Sequence, residues 1–233
     1  HTERSSCQSP IEYLPVPQWF IKVKDFTQEI KQDGLGMRWN PDLSVRLTDW
    51  CDSLTWDWVV SRQRVFGTPI PFWYCSNMNC DYVIEPKDAD LPLDPLKVKI
   101  PLEKCPKCGS KIVGEKDVCD CWIDSSITPL KISKWKTDDQ FFKAVYPTTC
   151  RPQGYEIIRT WMFYTLFRSK KLTGKRPFDE VMINGMVAGP DGRKMSKSYG
   201  NIVAPDEIMP YYGADAVRQW AALWASLAAS PIP

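Results

Sequence analysis

Lys194-Met195-Ser196-Lys197-Ser198 puts two ammonium groups and two hydroxyls into one short stretch punctuated by Gly189, Gly192 and Gly200. A glycine-flanked basic loop can close over a triphosphate and place positive charge where a leaving pyrophosphate gathers negative charge. The ordinary alternative for such a run is a solvated surface turn. Context favours the phosphate reading: Val181-Met182-Ile183 reads as a buried strand before the loop, and Pro205-Asp206-Glu207 as a helix start after it. Lys194 and Lys197 are therefore the candidate charge-stabilising residues. Ser196 and Ser198 either bond a phosphate or simply hold the loop.

A second group has ligand spacing. Cys75 and Cys80 are separated by four residues, and Cys105 and Cys108 by two, with Gly109 following. A tight turn after the last cysteine lets two thiolates face one tetrahedral ion, so the four together suit a structural Zn2+. The competing reading is a ribbon-shaped module whose thiols are merely buried. Cys7, Cys51, Cys119, Cys121 and Cys150 have no such partners and read mostly as small buried hydrophobes. Nine cysteines without a secretory segment argue against a disulfide framework.

Histidine chemistry is nearly excluded, because His1 is the only histidine. With 43% hydrophobic and 25% charged residues the chain has the balance of a soluble globular protein, and a net charge of +2 neither demands nor forbids nucleic acid. No apolar run approaches the roughly 20 residues that span a bilayer, and the polar start is not a signal peptide. The expectation is a cytoplasmic protein with no membrane partner.

Several elements must position these groups. Residues 11–24 alternate and suggest strands with prolines at edges. Gly34, Gly36 and Asn40-Pro41-Asp42 mark turns. Leu43, Leu47, Trp50 and Leu54 recur at helical spacing over 43–54. The cysteine module occupies 72–114, with an extended loop over 90–104. Cys121-Trp122-Ile123-Asp124 reads as the end of a strand or a turn. The longest helix is expected over 154–171 with Gly174 beyond it, then a strand over 181–186, the lysine loop, and a last helix over 214–229. Helix, buried strand and helix fit part of a doubly wound α/β layer.

The motifs then carry a resemblance. Gly192-Arg193-Lys194-Met195-Ser196-Lys197-Ser198-Tyr199-Gly200-Asn201 resembles the second signature of class I aminoacyl-tRNA synthetases. The stretch Trp58 to Pro71, with Ser61-Arg62-Gln63-Arg64 at its centre, resembles a segment shared by the valine, isoleucine and leucine branches, and Gly213 to Arg218 the helix after their lysine loop. Arg151 to Trp161 is most similar to the valine branch in its archaeal form. The resemblance implies an α/β fold: the C-terminal half of a Rossmann-type catalytic domain with an inserted zinc-ribbon-like module. It divides the chain into 1–71 following an editing domain, 72–114 as the insert, 115–203 as catalytic core with the lysine loop, and 204–233 leading towards an anticodon-binding domain.

It further implies a ligase that joins valine to ATP as valyl-adenylate and then charges tRNA(Val). ATP with Mg2+ is substrate, Zn2+ is structural, and the N-terminal half and anticodon-binding domain of the same enzyme are partners. The family's first signature, His-x-Gly-His, cannot lie in a chain with one histidine, so the isolated segment is expected to be inactive. The resemblance assigns Gly154 and Glu156 to the ATP ribose, Met186 and Val187 to adenine, and Trp122 and Trp161 to the amino-acid pocket. Glu156 stands where Asp is commoner, and Asn184 where relatives often have His. Arg62 and Arg64 are candidates for tRNA or for structural ion pairs. The module's Lys104, Lys107, Lys111 and Lys116 read as solvated rather than RNA-binding. The alternatives are the isoleucine or leucine enzyme, or a non-catalytic zinc-ribbon RNA-binding module.

Overall fold

The computed structural model describes residues 15–225. Expectations for Cys7, for the first part of the 11–24 strand stretch and for the end of the 214–229 helix fall outside those residues. The chain divides into two compact units, one built from Pro17–Phe26 and Thr55–Thr128, the other from Thr27–Leu54 and the chain after Pro129.

The second unit is organised by a three-stranded sheet whose central strand, Phe178–Asn184, runs parallel to Arg38–Asn40 on one side and Thr148–Gly154 on the other. Parallel neighbours need a crossover, and helix Phe163–Thr173 supplies it between Thr148–Gly154 and Phe178–Asn184. Phe178, Val181 and Ile183 of the central strand are buried, as are Phe163, Leu166 and Phe167 of the crossover helix. Helix Ser44–Ser53, close to the expected span, buries Leu47 and Cys51. Trp50 meets Phe163 edge-on at 6.3 Å. Helix Thr27–Leu35, which its weak apolar pattern had not revealed, packs closely enough that a Cβ on Gly34 would come within 2.3 Å of Leu47 Cδ2. Lys170–Asp33 at 3.0 Å and Lys171–Glu29 at 2.6 Å tie it to the crossover helix.

The expected helix over 154–171 is helical from Tyr155 onward but not uniform: a 3-10 turn Tyr155–Ile157 and a π turn Ile158–Met162 precede the α-helix, and strand Thr148–Gly154 leads into them. Thr-Thr-Cys-Arg-Pro-Gln-Gly has no apolar alternation because it is an edge strand, the place where Pro152 is tolerated. The π turn carries Ile158, Trp161 and Met162 all into the interior. Gly174, at φ 73, ends the helix by returning its N–H to Lys170 O at 2.8 Å.

The strands of the other unit are short and pair antiparallel. Phe20–Ile21 pairs with Trp58–Val59, and Ser61–Arg62 with Val118–Cys119. Trp73–Cys75 lies between Val83–Ile84 and Ile112–Gly114 in a small sheet. Trp73, Cys75, Cys105 and Ile112 form its core, with Tyr82, Ile84 and Leu93 packed against them. Cys121–Ser126 is a helix rather than a strand end, because the Asp120 carboxylate accepts from Trp122 N at 3.1 Å and caps it. Of the unpaired cysteines, Cys51 is buried but Cys121 and Cys150 are exposed, so the expectation of buried hydrophobes fails for those two. Among the described residues no helix is long and apolar enough to cross a membrane.

Candidate functional site

The parallel sheet brings the separated motifs together at its carboxyl edge, where open α/β sheets receive ligands. Gly154, the last residue of one strand, is in register with Asn184, the last of its neighbour. Glu156 sits in the turn just beyond Gly154 and is exposed. Its carboxylate folds back over the glycine: a Cβ there would lie 2.2 Å from Glu156 Oε2. Met186 is half-buried and Val187 exposed in the segment leaving Asn184. The lysine loop follows on the same chain segment.

That loop has more order than its charges suggest. Ala188 bridges Lys194 in antiparallel fashion, Gly189 N donates to Arg193 O at 2.7 Å, and Gly192 N to Gly189 O at 2.9 Å. Gly192 takes φ 73, so Asp191-Gly192 forms the tip of a tight hairpin. Lys197–Tyr199 is a 3-10 turn closed by Tyr199 N to Ser196 O at 3.1 Å. Lys194 and Lys197 are exposed and make no ion pair among the described residues. Met195 points the opposite way: its Sδ accepts from Val203 N at 3.3 Å, and its side chain lines an apolar cavity of about 700 Å³ shared with Ile208, Tyr212 and Trp220. The walls of that cavity suit the packing of methionine and aromatic groups, not a triphosphate.

Trp161 is buried at 4% exposure, stacked on Phe178 at 6.2 Å and covered by the Arg151 guanidinium at 4.6 Å. It belongs to the core of its unit. Trp122, Arg62, Arg64 and the four cysteines lie in the other unit. There Asp120, 4% exposed, accepts from Arg62 Nη2 at 2.6 Å and Trp58 Nε1 at 3.1 Å, while Arg62 Nη1 donates to the carbonyls of Val59 and Ser61 at 2.8 Å each. Arg62 is thus fully engaged within its own unit, whereas Arg64 is exposed. Lys107, one of the module's lysines, pairs with Asp81 at 2.7 Å.

The cysteine sulfurs lie within 4.8 Å of one another. Cys75 and Cys108 Sγ are 3.4 Å apart, and Cys80 and Cys105 Sγ 3.7 Å. A tetrahedral ion with metal–sulfur bonds of about 2.3 Å needs sulfurs about 3.8 Å apart, so the quartet can hold one. Burial pushes the Cys75 thiol up to about 12, while hydrogen bonding with Ser110 pulls Cys108 down to about 6.

Two residues of the lysine loop escaped sequence reasoning. Asn201 Oδ1 accepts from Ser196 N at 2.9 Å, and its Nδ2 donates to Asp191 Oδ1 at 2.9 Å. Asp191 also accepts from Arg193 N at 3.1 Å, and the Asn201 bond comes first in holding its carboxyl below the usual range. The turn pair Asp191-Gly192 was a usable signal for one of them.

Residues 6–230 match the model of the family described as tRNA synthetases class I (I, L, M and V). The chain is 59% identical over 231 residues to a valine–tRNA ligase of Pyrococcus abyssi, covering 96% of the chain and 26% of that protein. A valine–tRNA ligase of Methanocaldococcus jannaschii is 51% identical over 92% of the chain and 24% of its own length. The chain therefore spans about a quarter of the length of the curated relatives it matches. Among solved structures, a leucyl-tRNA synthetase of Agrobacterium radiobacter K84, in a ternary complex with tRNA and LeuAMS, superimposes with a TM-score of 0.55 at 30% identity, covering 71% of this chain and 24% of that one. A methionyl-tRNA synthetase of Mycobacterium tuberculosis with methionyl-adenylate gives a TM-score of 0.61 at 18% identity, over 92% and 35%, and speaks to fold alone. With almost its whole length matched by one family model and its lysine loop rising from the carboxyl edge of a parallel sheet, this chain belongs to the class I tRNA synthetases of the isoleucine, leucine, methionine and valine group.

Proposed function

We propose that this chain carries the ATP-facing half of the amino-acid-activating site of a valine–tRNA ligase. The observation that carries the reading is the placing of Gly154, Glu156 and Asn184 at adjacent strand ends that lead into a pre-shaped lysine loop. The valine branch is favoured by identities of 50–59% to valine–tRNA ligases. In this reading the parallel sheet is the second half of a Rossmann-type domain, 72–114 is its zinc-ribbon insert, 115–203 completes the core, and 204–233 begins the passage to an anticodon-binding domain. The enzyme works in the cytoplasm.

The reaction is displacement at phosphorus. A carboxylate oxygen of valine bonds to the α-phosphorus of ATP, the bond to the β-phosphate oxygen breaks, and pyrophosphate leaves with the electron pair; a terminal hydroxyl of tRNA(Val) then attacks the valyl carbonyl and AMP leaves. Catalysis of the first step is positioning and charge stabilisation. Lys194 and Lys197, exposed on flexible stems and without an ion pair among the described residues, follow charge onto the β- and γ-phosphates. Ser196 and Ser198 flank Lys197 and add hydroxyls to the same anion. Glu156 accepts the ribose hydroxyls across Gly154, and the backbone of Met186 and Val187 meets adenine beside Asn184. Mg2+ enters with ATP and offsets its charge. Trp122 is the wall offered to the valine side chain; Trp161 is packed against Phe178 in the core of its own unit. Arg64 remains the arginine available to RNA. Zn2+ suits the cysteine quartet by its spacing and donor type, and there it would hold the small sheet together without a part in the chemistry.

The test is Lys197→Ala in a full-length enzyme containing this segment. Valine-dependent pyrophosphate exchange should fall about 10²- to 10³-fold in kcat, with valine KM changed less than about twofold. Parallel loss of valine binding and of folding would make the loop structural and overturn the assignment.

A further inference from the structure

The lysine loop is held by one side chain that the family reading leaves without a task. Asn201 lies beyond the second lysine, yet its amide reaches back across the loop. Oδ1 accepts from Ser196 N at 2.9 Å, and Nδ2 donates to Asp191 Oδ1 at 2.9 Å, Asp191 Oδ2 at 3.2 Å and Lys194 O at 3.3 Å. The amide orientation is fixed by its partners, since a carboxylate and a carbonyl only accept and a backbone N–H only donates. Three separate parts of the loop converge on it: the hairpin tip through the Asp191 carboxylate, the first lysine through its own carbonyl, and the residue before the second lysine through its N–H. Gly189 makes room for this arrangement. A Cβ there would stand 2.7 Å from Asn201 O and 2.9 Å from Asn201 Nδ2.

The consequence lies in the backbone. Among the described residues neither catalytic lysine makes an ion pair, so no charged partner fixes the end of either side chain. Their positions depend on where their Cα atoms are, and the Asn201 amide joins the two. We propose that Asn201, braced by Asp191, is a positioning residue that fixes the spacing of Lys194 and Lys197 for the charge developing on pyrophosphate. Neither side chain needs to touch substrate. The inference rests on the reading of the loop as the pyrophosphate-stabilising element of an amino-acid-activating site.

A charge-swap series in the full-length enzyme tests it. Asn201→Asp sets one carboxylate against another and removes the donor to Lys194 O. Valine-dependent pyrophosphate exchange should lose about 10- to 100-fold in kcat, as misplacement of catalytic groups by about an ångström does, with valine KM moved less than twofold. The double variant Asp191→Asn with Asn201→Asp restores a donor–acceptor pair and should recover about tenfold of that loss. Thermal denaturation of each variant is measured alongside, and rates are compared per folded molecule. Recovery in the double variant with unchanged melting supports positioning. Equal kcat for wild type and Asn201→Asp overturns it, as does a kcat loss that tracks the melting temperature or that the double variant does not relieve. A wild-type enzyme with no valine-dependent exchange would instead sink the functional reading beneath it, so the two failures are distinguishable.

Discussion

Gly154 and Glu156 show how one missing methyl group shapes a polar site. The Glu156 carboxylate occupies the space a Cβ on Gly154 would take. Because what lies there is the far end of a flexible side chain, Gly154→Ala should displace the carboxylate rather than the fold. ATP KM in the full-length enzyme should rise about tenfold while stability changes by less than about 1 kcal/mol. Arg62 is the reverse case, a residue whose type suggests RNA and whose surroundings give it another role. It donates to Asp120, which is buried, and to the carbonyls of Val59 and Ser61. Arg62→Ala leaves that carboxylate short of its charged partner and should cost about 2 kcal/mol of stability by denaturant titration, with tRNA affinity of the folded enzyme unchanged. A selective loss of tRNA affinity at constant stability would restore the RNA role. Lys194, Lys197 and the four cysteines were legible in the sequence because residue type and short spacing already constrain what they can do. Asn201 was not, because its role depends on hydrogen bonds to residues five, seven and ten positions earlier, which become neighbours only once the hairpin has closed.

The elements were read well where an apolar period existed and poorly where burial was one-sided. Helix Ser44–Ser53 announces itself through Leu47 and Trp50 at helical spacing, and helix Phe163–Thr173 through its packed face. Strand Thr148–Gly154 carries Thr, Cys, Arg, Pro and Gln, and only its position at the sheet edge and its pairing with Phe178–Asn184 make it a strand. Reading 154–171 as one uniform helix also passed over the π turn at Ile158–Met162, a geometry that no sequence period announces. The small sheet around Trp73–Cys75 is the element most dependent on chemistry beyond packing. Its core is little more than Trp73, Ile112 and two cysteines with a few half-buried neighbours, which is thin support for a module of that size. The folded protein should therefore contain about one zinc per chain by elemental analysis. Cys105→Ser should abolish it and open the module to trypsin at Lys104, Lys107 and Lys111. A variant without metal that resists trypsin as the parent does would show that the sheet stands on its packing alone.

At the scale of the whole chain the question is how much of a reaction 233 residues with one histidine can perform. The segment matches relatives along about a quarter of their length and supplies a sheet edge, an exposed acid beside it and two lysines. In the proposed reading, what these residues do is stabilise charge on the departing pyrophosphate. Adenylate formation also requires the α-phosphate and the valine carboxylate to be held in line, and by resemblance that work belongs to an imidazole signature that a chain with a single histidine at position 1 cannot provide. Effects of groups that act together on one transition state are far from additive, so half a site does not give half a rate. The 233-residue chain alone should therefore bind ATP weakly, lose that binding on Lys194→Ala with Lys197→Ala, and show no valine-dependent pyrophosphate exchange above about 1% of the full-length rate. Exchange well above that level would mean that the lysine loop and its sheet edge orient both substrates unaided, and that the imidazole signature is not required for activation in this enzyme.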